Sequence, residues 1–67
     1  MMKTIEFNYI IGKSLDEAEQ LVFNDGEYYI RVIKENGGKY FSGADFDLKR
    51  INVAIIGNEI TQILSIG

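Results

Sequence analysis

LKRINVAII (48–56) and EITQILSI (59–66), separated only by Gly57-Asn58, decide the fold. The first run alternates. Ile51, Val53 and Ile55 fall on one face, and Arg50, Asn52 and Ala54 on the other, which is the period of a strand with one apolar side. The second run is equally rich in β-formers. A two-residue connection needs backbone angles that Gly and Asn tolerate best, so Gly57-Asn58 reads as a tight hairpin turn. The C-terminal part of the chain is therefore expected to be an antiparallel pair.

Upstream, EYYIRVIK (27–34) is a third β-prone run, with Tyr28, Ile30 and Val32 on one face and Tyr29, Arg31 and Ile33 on the other. Asn36-Gly37-Gly38 ends it. Before it, Ser14 and Glu17 form an S-x-x-E capping box, in which the Ser oxygen accepts from the third helical N–H. Leu15, Ala18, Leu21 and Val22 recur at three- and four-residue spacing and make one apolar stripe. Asn24-Asp25-Gly26 is a stop signal, with Gly26 suited to the left-handed position after the last turn. The helix is expected over about residues 15–24. At the N-terminal end, TIEFNYII (4–11) alternates, placing Ile5, Phe7, Tyr9 and Ile11 on one side, and reads as a first strand.

The order is β-α-β-loop-β-β, and the expected class is α+β: one helix packed on a small mixed four-stranded sheet. A helix between the first two strands would make them parallel neighbours through a right-handed crossover. The long connection is GKYFSGADFDLKR (38–50), with two adjacent aromatics, a Gly-Ala-Asp centre and a basic end.

At 67 residues the chain is expected to be a single domain, 1–67. It contains no Cys and no His, which excludes a disulfide framework, a Cys/His zinc site and any catalytic centre built on those residues. Eleven isoleucines stand in for such staples. Net charge is −3 with mixed signs, which speaks against a nucleic-acid polymer or an anionic membrane as the main partner. Lys3, Glu6 and Asn8 interrupt any signal-peptide-like core, and no run reaches transmembrane length. With no Cys, a cytoplasmic location is the expectation. The remaining nucleophile and base candidates have no recognisable spacing, so no enzyme, cofactor or metal is expected. High Ile, Asn and Lys usage points to an AT-rich bacterial or viral genome.

IGKSLDEAEQLV (11–22) resembles the helix start of the potato inhibitor I family of serine protease inhibitors. DFDLKRINVAI (45–55) and EITQILSIG (59–67) resemble the family's segment after the reactive bond and its last strand. Arg-Ile-Asn-Val at 50–53 is similar to the corresponding stretch of the related I78-type inhibitors. The resemblance covers about residues 11–67. It implies a rigid loop that binds a protease like a substrate and is cleaved and released slowly. It also implies a loop propped by arginines from the strand behind it rather than by a disulfide. Carried over residue by residue, it places the scissile bond between Ala44 and Asp45, makes Asp45 the acidic residue after the bond and makes Arg50 a propping arginine. Three positions depart from the pattern: Gly43 stands for a Thr, Asn52 for the second arginine and Asp47 for another arginine. An Ala before the bond suits an elastase- or subtilisin-like pocket.

The residues to follow are therefore Tyr40, Phe41, Gly43, Ala44, Asp45 and Asp47 in the loop, with Arg50, Asn52, Lys39 and Arg31 as loop support. A second reading is a homo-oligomeric protein, of a kind a phage encodes, that sequesters a small molecule such as a nucleotide. Lys39, Tyr40, Phe41, Arg50 and Arg31 would then grip base and phosphates at sites shared between subunits. A third is a plain homo-oligomeric module. Ile10-Ile11, Ile33 and Ile55-Ile56 carry more apolar surface than a one-sided sheet needs, and the N-terminal strand is available for edge pairing. Asp45 and Arg50 are also readable as an ordinary surface ion pair.

Overall fold

In the computed structural model, which describes residues 4–39 and 45–67, the C-terminal hairpin forms as its sequence dictates. Strand β3 (Arg50–Ile56) pairs antiparallel with β4 (Glu59–Ile66). Gly57 and Asn58 both take positive φ, 58° and 66°, the pair of conformations that a type I′ turn requires. Strand β1 (Tyr29–Glu35) lies parallel to β3 on its other side. Asn36-Gly37 does more than end β1. Both residues have positive φ and form a second two-residue turn, leading into β2 (Gly38–Lys39), which pairs with Lys34 and Glu35. The Asn36 side chain accepts from the Gly57 N–H at 3.0 Å, so the two turns are tied together at one end of the sheet.

Strand order is β2-β1-β3-β4. Three strands are full length and β2 adds only two residues at the edge, so the class is α+β with a mixed sheet. The four strands expected from the sequence are corrected here, because residues 4–11 are not a strand. Thr4–Ile10 is a 3-10 helix. At three residues per turn, side chains at i and i+3 eclipse, and Phe7 and Ile10 are both fully buried. Tyr9 and Ile11, expected on the same side as Phe7, are each 41% exposed. The spacing of three has overridden the alternation. The expected parallel pairing through a helical crossover is corrected with it. The parallel pair is β1 and β3, joined by the segment 36–49.

Helix α1 (Leu15–Gly26) covers one face of the sheet. The Ser14 hydroxyl accepts from the Glu17 N–H at 3.3 Å, as the capping box predicts. Ala18 and Val22 are buried, with Leu15 and Leu21 flanking them half-buried. They pack with Phe7, Ile10, Ile51, Val53, Ile55 and Ile60 into one core, edged by Tyr28, Ile30, Val32, Ile63 and Ile66. The helix stop differs from the expected one. Gly26 is still helical, and Glu27 takes the left-handed position at φ 60°. Gly26 is needed for room instead, since a Cβ there would lie 2.8 Å from Tyr28 Cε2. The Tyr28 ring is held edge-on to Phe7 at a centroid separation of 5.0 Å.

The β4 edge is partly closed. Gly12 N–H donates to Ile60 O, Ile60 N–H donates to Lys13 O, and Ser14 bridges to Glu59. Further along, the register of β4 against β3 skips Thr61 and Leu64, two bulges that bend the strand.

Candidate functional site

The sheet face away from the helix carries polar residues at its centre. Arg50 and Asn52 are only 6% and 4% exposed, an uncommon depth for these side chains unless their polar atoms are paired. Both are paired. Asn52 Oδ1 accepts from Arg31 Nε at 3.1 Å, its cross-strand neighbour in the parallel register. Asn52 Nδ2 donates to Ser65 Oγ at 3.0 Å and to the Gly67 main-chain oxygen at 2.9 Å. Among the described residues, no buried side-chain nitrogen or oxygen lacks a hydrogen-bond partner.

Arg50 reaches out of this layer to the tail of the long connection. Its Nη1 donates to Asp45 Oδ2 at 2.9 Å and its Nη2 to the Asp45 main-chain oxygen at 3.1 Å. Its Nε donates to Gly67 O at 2.9 Å, and the Arg50 main-chain oxygen accepts from Gly67 N–H. One planar fork thus ties Asp45, by side chain and backbone, to the end of β4. The geometry is asymmetric: the Arg50 side chain is 7% exposed and that of Asp45 is 68% exposed. The Arg50 hydrogen bond and charge hold the Asp45 carboxyl below its usual range, and the same hydrogen bond raises Arg50.

Asp47 is held separately. Its Oδ2 accepts from the Tyr29 hydroxyl at 2.6 Å and its Oδ1 from the Lys49 N–H at 2.9 Å. These two bonds lower its pKa, and the Tyr29 hydroxyl is raised in return. Arg50 N–H donates to Asp47 O and Tyr29 N–H to Lys49 O. The Lys49 ammonium donates to Gly26 O at 2.8 Å, at the negative end of α1. It lies 4.4 Å from the Tyr28 ring centroid, a cation–π distance.

Between these tethers the chain leaves apolar side chains exposed. The carboxylates of Asp45 and Asp47 are engaged by Arg50 and by Tyr29 and Lys49, whereas Phe46 and Leu48 are 70% and 65% exposed. Phe46 lies against Gly67, where a Cβ would come within 2.9 Å of Phe46 Cε2. Of the residues singled out from sequence, the fold brings together Asp45, Asp47, Arg50, Asn52 and Arg31. The Lys39 backbone lies in β2 at the sheet edge. Tyr40, Phe41, Gly43 and Ala44 lie outside the described residues.

Sequence reading missed Tyr29, Lys49, Ser65 and Gly67. The strand pattern does place Tyr29 on the same face as Arg31, and that was the available signal for it. Nothing local marks Lys49 or Gly67, whose partners lie 23 and 17 residues away.

Two surface depressions lie elsewhere. One of about 190 Å³ is lined by Lys34, Gly37, Ala54, Ile56, Thr61 and Gln62. The other, of about 300 Å³, is lined by Tyr9, Leu21, Asn24 and Asp25. Neither includes Arg31 or Arg50. Among the described residues, no helix is long and apolar enough to cross a membrane. Comparison with family models, curated proteins and solved structures returns no match to this chain.

Proposed function

We propose that this chain is a non-catalytic binding protein that offers residues 37–50 to a subtilisin-like serine protease as an inhibitory loop, with Ala44–Asp45 as the scissile bond. The observation that carries this reading is the Arg50 fork on Asp45. A buried arginine on the strand after the loop grips the residue next to the bond through both its carboxylate and its carbonyl. A segment ordered beforehand loses little freedom on binding. The same grip keeps the new amino end in place after cleavage, at the high effective concentration that favours re-formation of the bond. Ala44 suits a protease with a small apolar primary pocket.

The second reading, a homo-oligomer that sequesters a nucleotide, asks Arg50 to release Asp45 and Gly67 before it can take a phosphate. It draws less support from this geometry. The test is an inhibition titration against subtilisin- and elastase-like proteases. A stoichiometric endpoint, weakened at least tenfold in an Arg50→Ala variant, is the expected result. No inhibition of any member of the panel would overturn the proposal.

A further inference from the structure

The trailing arm of the loop has two sets of tethers, which meet where the Tyr29 hydroxyl faces the Arg50 guanidinium. Arg50 holds Asp45. The second set begins at Asp47, whose two carboxylate oxygens accept from different elements: Tyr29 Oη on β1 and the Lys49 N–H within the arm. It continues through the Lys49 ammonium, which leaves the arm to meet Gly26 O at the end of α1 and the face of Tyr28. The backbone joins the same ring, because Tyr29 N–H donates to Lys49 O. Both ends of residues 47–49 are thus pinned to Gly26–Tyr29, where α1 leads into β1. Phe46 and Leu48 are left largely exposed, Phe46 with one ring edge on Gly67.

We infer that Tyr29, Asp47 and Lys49 are a second clamp, beside the Arg50 fork, that positions the arm so that Phe46 and Leu48 face a partner. Its purpose rests on the loop reading given above; its existence does not. Tyr29 and Lys49 act through Asp47 and the backbone and are positioning residues. The arrangement explains how a carboxylate fits at position 47: the oxygens find a phenol and an amide, and the charge of Lys49 is directed to a helix end. The other charged groups facing Asp47 are Arg50, which favours its ionised form, and Asp45, which opposes it.

The test uses the full chain with Tyr29→Phe, which deletes one hydroxyl and keeps the ring, and Lys49→Met, which keeps the stem and removes the charge. Three readouts are taken: amide hydrogen exchange of residues 46–49, carboxyl titration of Asp45 and Asp47 by NMR, and inhibition of a subtilisin-like protease. In Tyr29→Phe the clamp predicts about tenfold faster exchange over 46–49 and a higher Asp47 midpoint, with the Asp45 midpoint moving much less. Lys49→Met should speed exchange and leave both midpoints nearly in place. Unchanged exchange and an unchanged Asp47 midpoint would overturn the clamp. So would an Asp45 midpoint that moves in step with Asp47, which would mean a single network. Altered exchange in a protein that inhibits nothing would sink the loop reading and leave the clamp standing. Inhibition unaffected by either variant would overturn the positioning role.

Discussion

Arg50 divides one guanidinium among Asp45 Oδ2, Asp45 O and Gly67 O. A lysine keeps the charge at this position but not the planar fork. Arg50→Lys should therefore raise the Asp45 midpoint toward the ordinary aspartate value of about 3.9, as read by NMR titration; an unmoved midpoint would show that the fork does not hold Asp45. The sign of the pH dependence follows. Asp45 and Asp47 are both depressed in the folded state. Their contacts contribute fully above the unfolded aspartate value and are lost as pH falls through the lower folded values. Acid below about pH 4 should loosen residues 45–49. Exchange in this segment that stays flat from pH 5 down to the folded midpoints would contradict this. The pairing of Asp45 with Arg50 was legible in sequence through the family resemblance, and as an ordinary surface ion pair between residues close along the chain. The Tyr29–Asp47 bond, spanning 18 residues, was not, since only the parallel register of β1 and β3 creates it.

Among the elements, the N-terminal segment separates the two ways of reading one pattern. FNYI (7–10) supplies apolar side chains at spacing two and at spacing three. Only the tertiary contact decides between them, and the fully buried pair is Phe7 and Ile10. Phe7→Ala should cost about 3–5 kcal/mol, close to the whole stability of a domain this small. Tyr9→Ala removes an exposed ring and one hydrogen bond to Asp25 and should cost about 1 kcal/mol. Equal losses for the two in denaturant unfolding would favour a strand. At the end of α1 the effects oppose. Glu27→Gly relieves a left-handed non-glycine residue and should stabilise by roughly 0.5–1 kcal/mol. Gly26→Ala gains helix propensity of about 1 kcal/mol but drives a methyl into the pinned Tyr28 ring, a clash of about 1–3 kcal/mol. Its net effect should be a lower Tm. A raised Tm would mean that the ring can move aside. The helix start and the C-terminal hairpin were legible because their signals are local: a Ser14 cap and two turn residues. The helix stop was not, because Gly26 answers to Tyr28 and not to its own backbone.

For the molecule as a whole, the polar layer on the outer sheet face links the end of β4 to the loop arm through Arg50 and Asn52. Helix and core support it from the other side. Binary pattern foretold the core side of β3. It could not foretell that the opposite side would be equally buried, since Arg50 and Asn52 look like solvent residues until Gly67 and Asp45 cover them. The surplus isoleucines are likewise divided: Ile10 and Ile55 go to the core, while Ile11 and Ile56 stay exposed. With bulges at Thr61 and Leu64 and the Gly12–Ser14 segment on the β4 edge, strand addition there is discouraged. Static light scattering should therefore give a monomer near 7.6 kDa; a stable oligomer would favour the ligand-sharing alternative.

The proposal that a protease meets the loop through an arm already held by Arg50, and that the protein survives the encounter, is tested most directly by an intact-mass time course of the native protein with a catalytic amount of a subtilisin-like protease. The account predicts one slow cut, between Ala44 and Asp45, with both fragments staying together in a folded complex. Rapid degradation at many sites, or a first cut elsewhere, would contradict it.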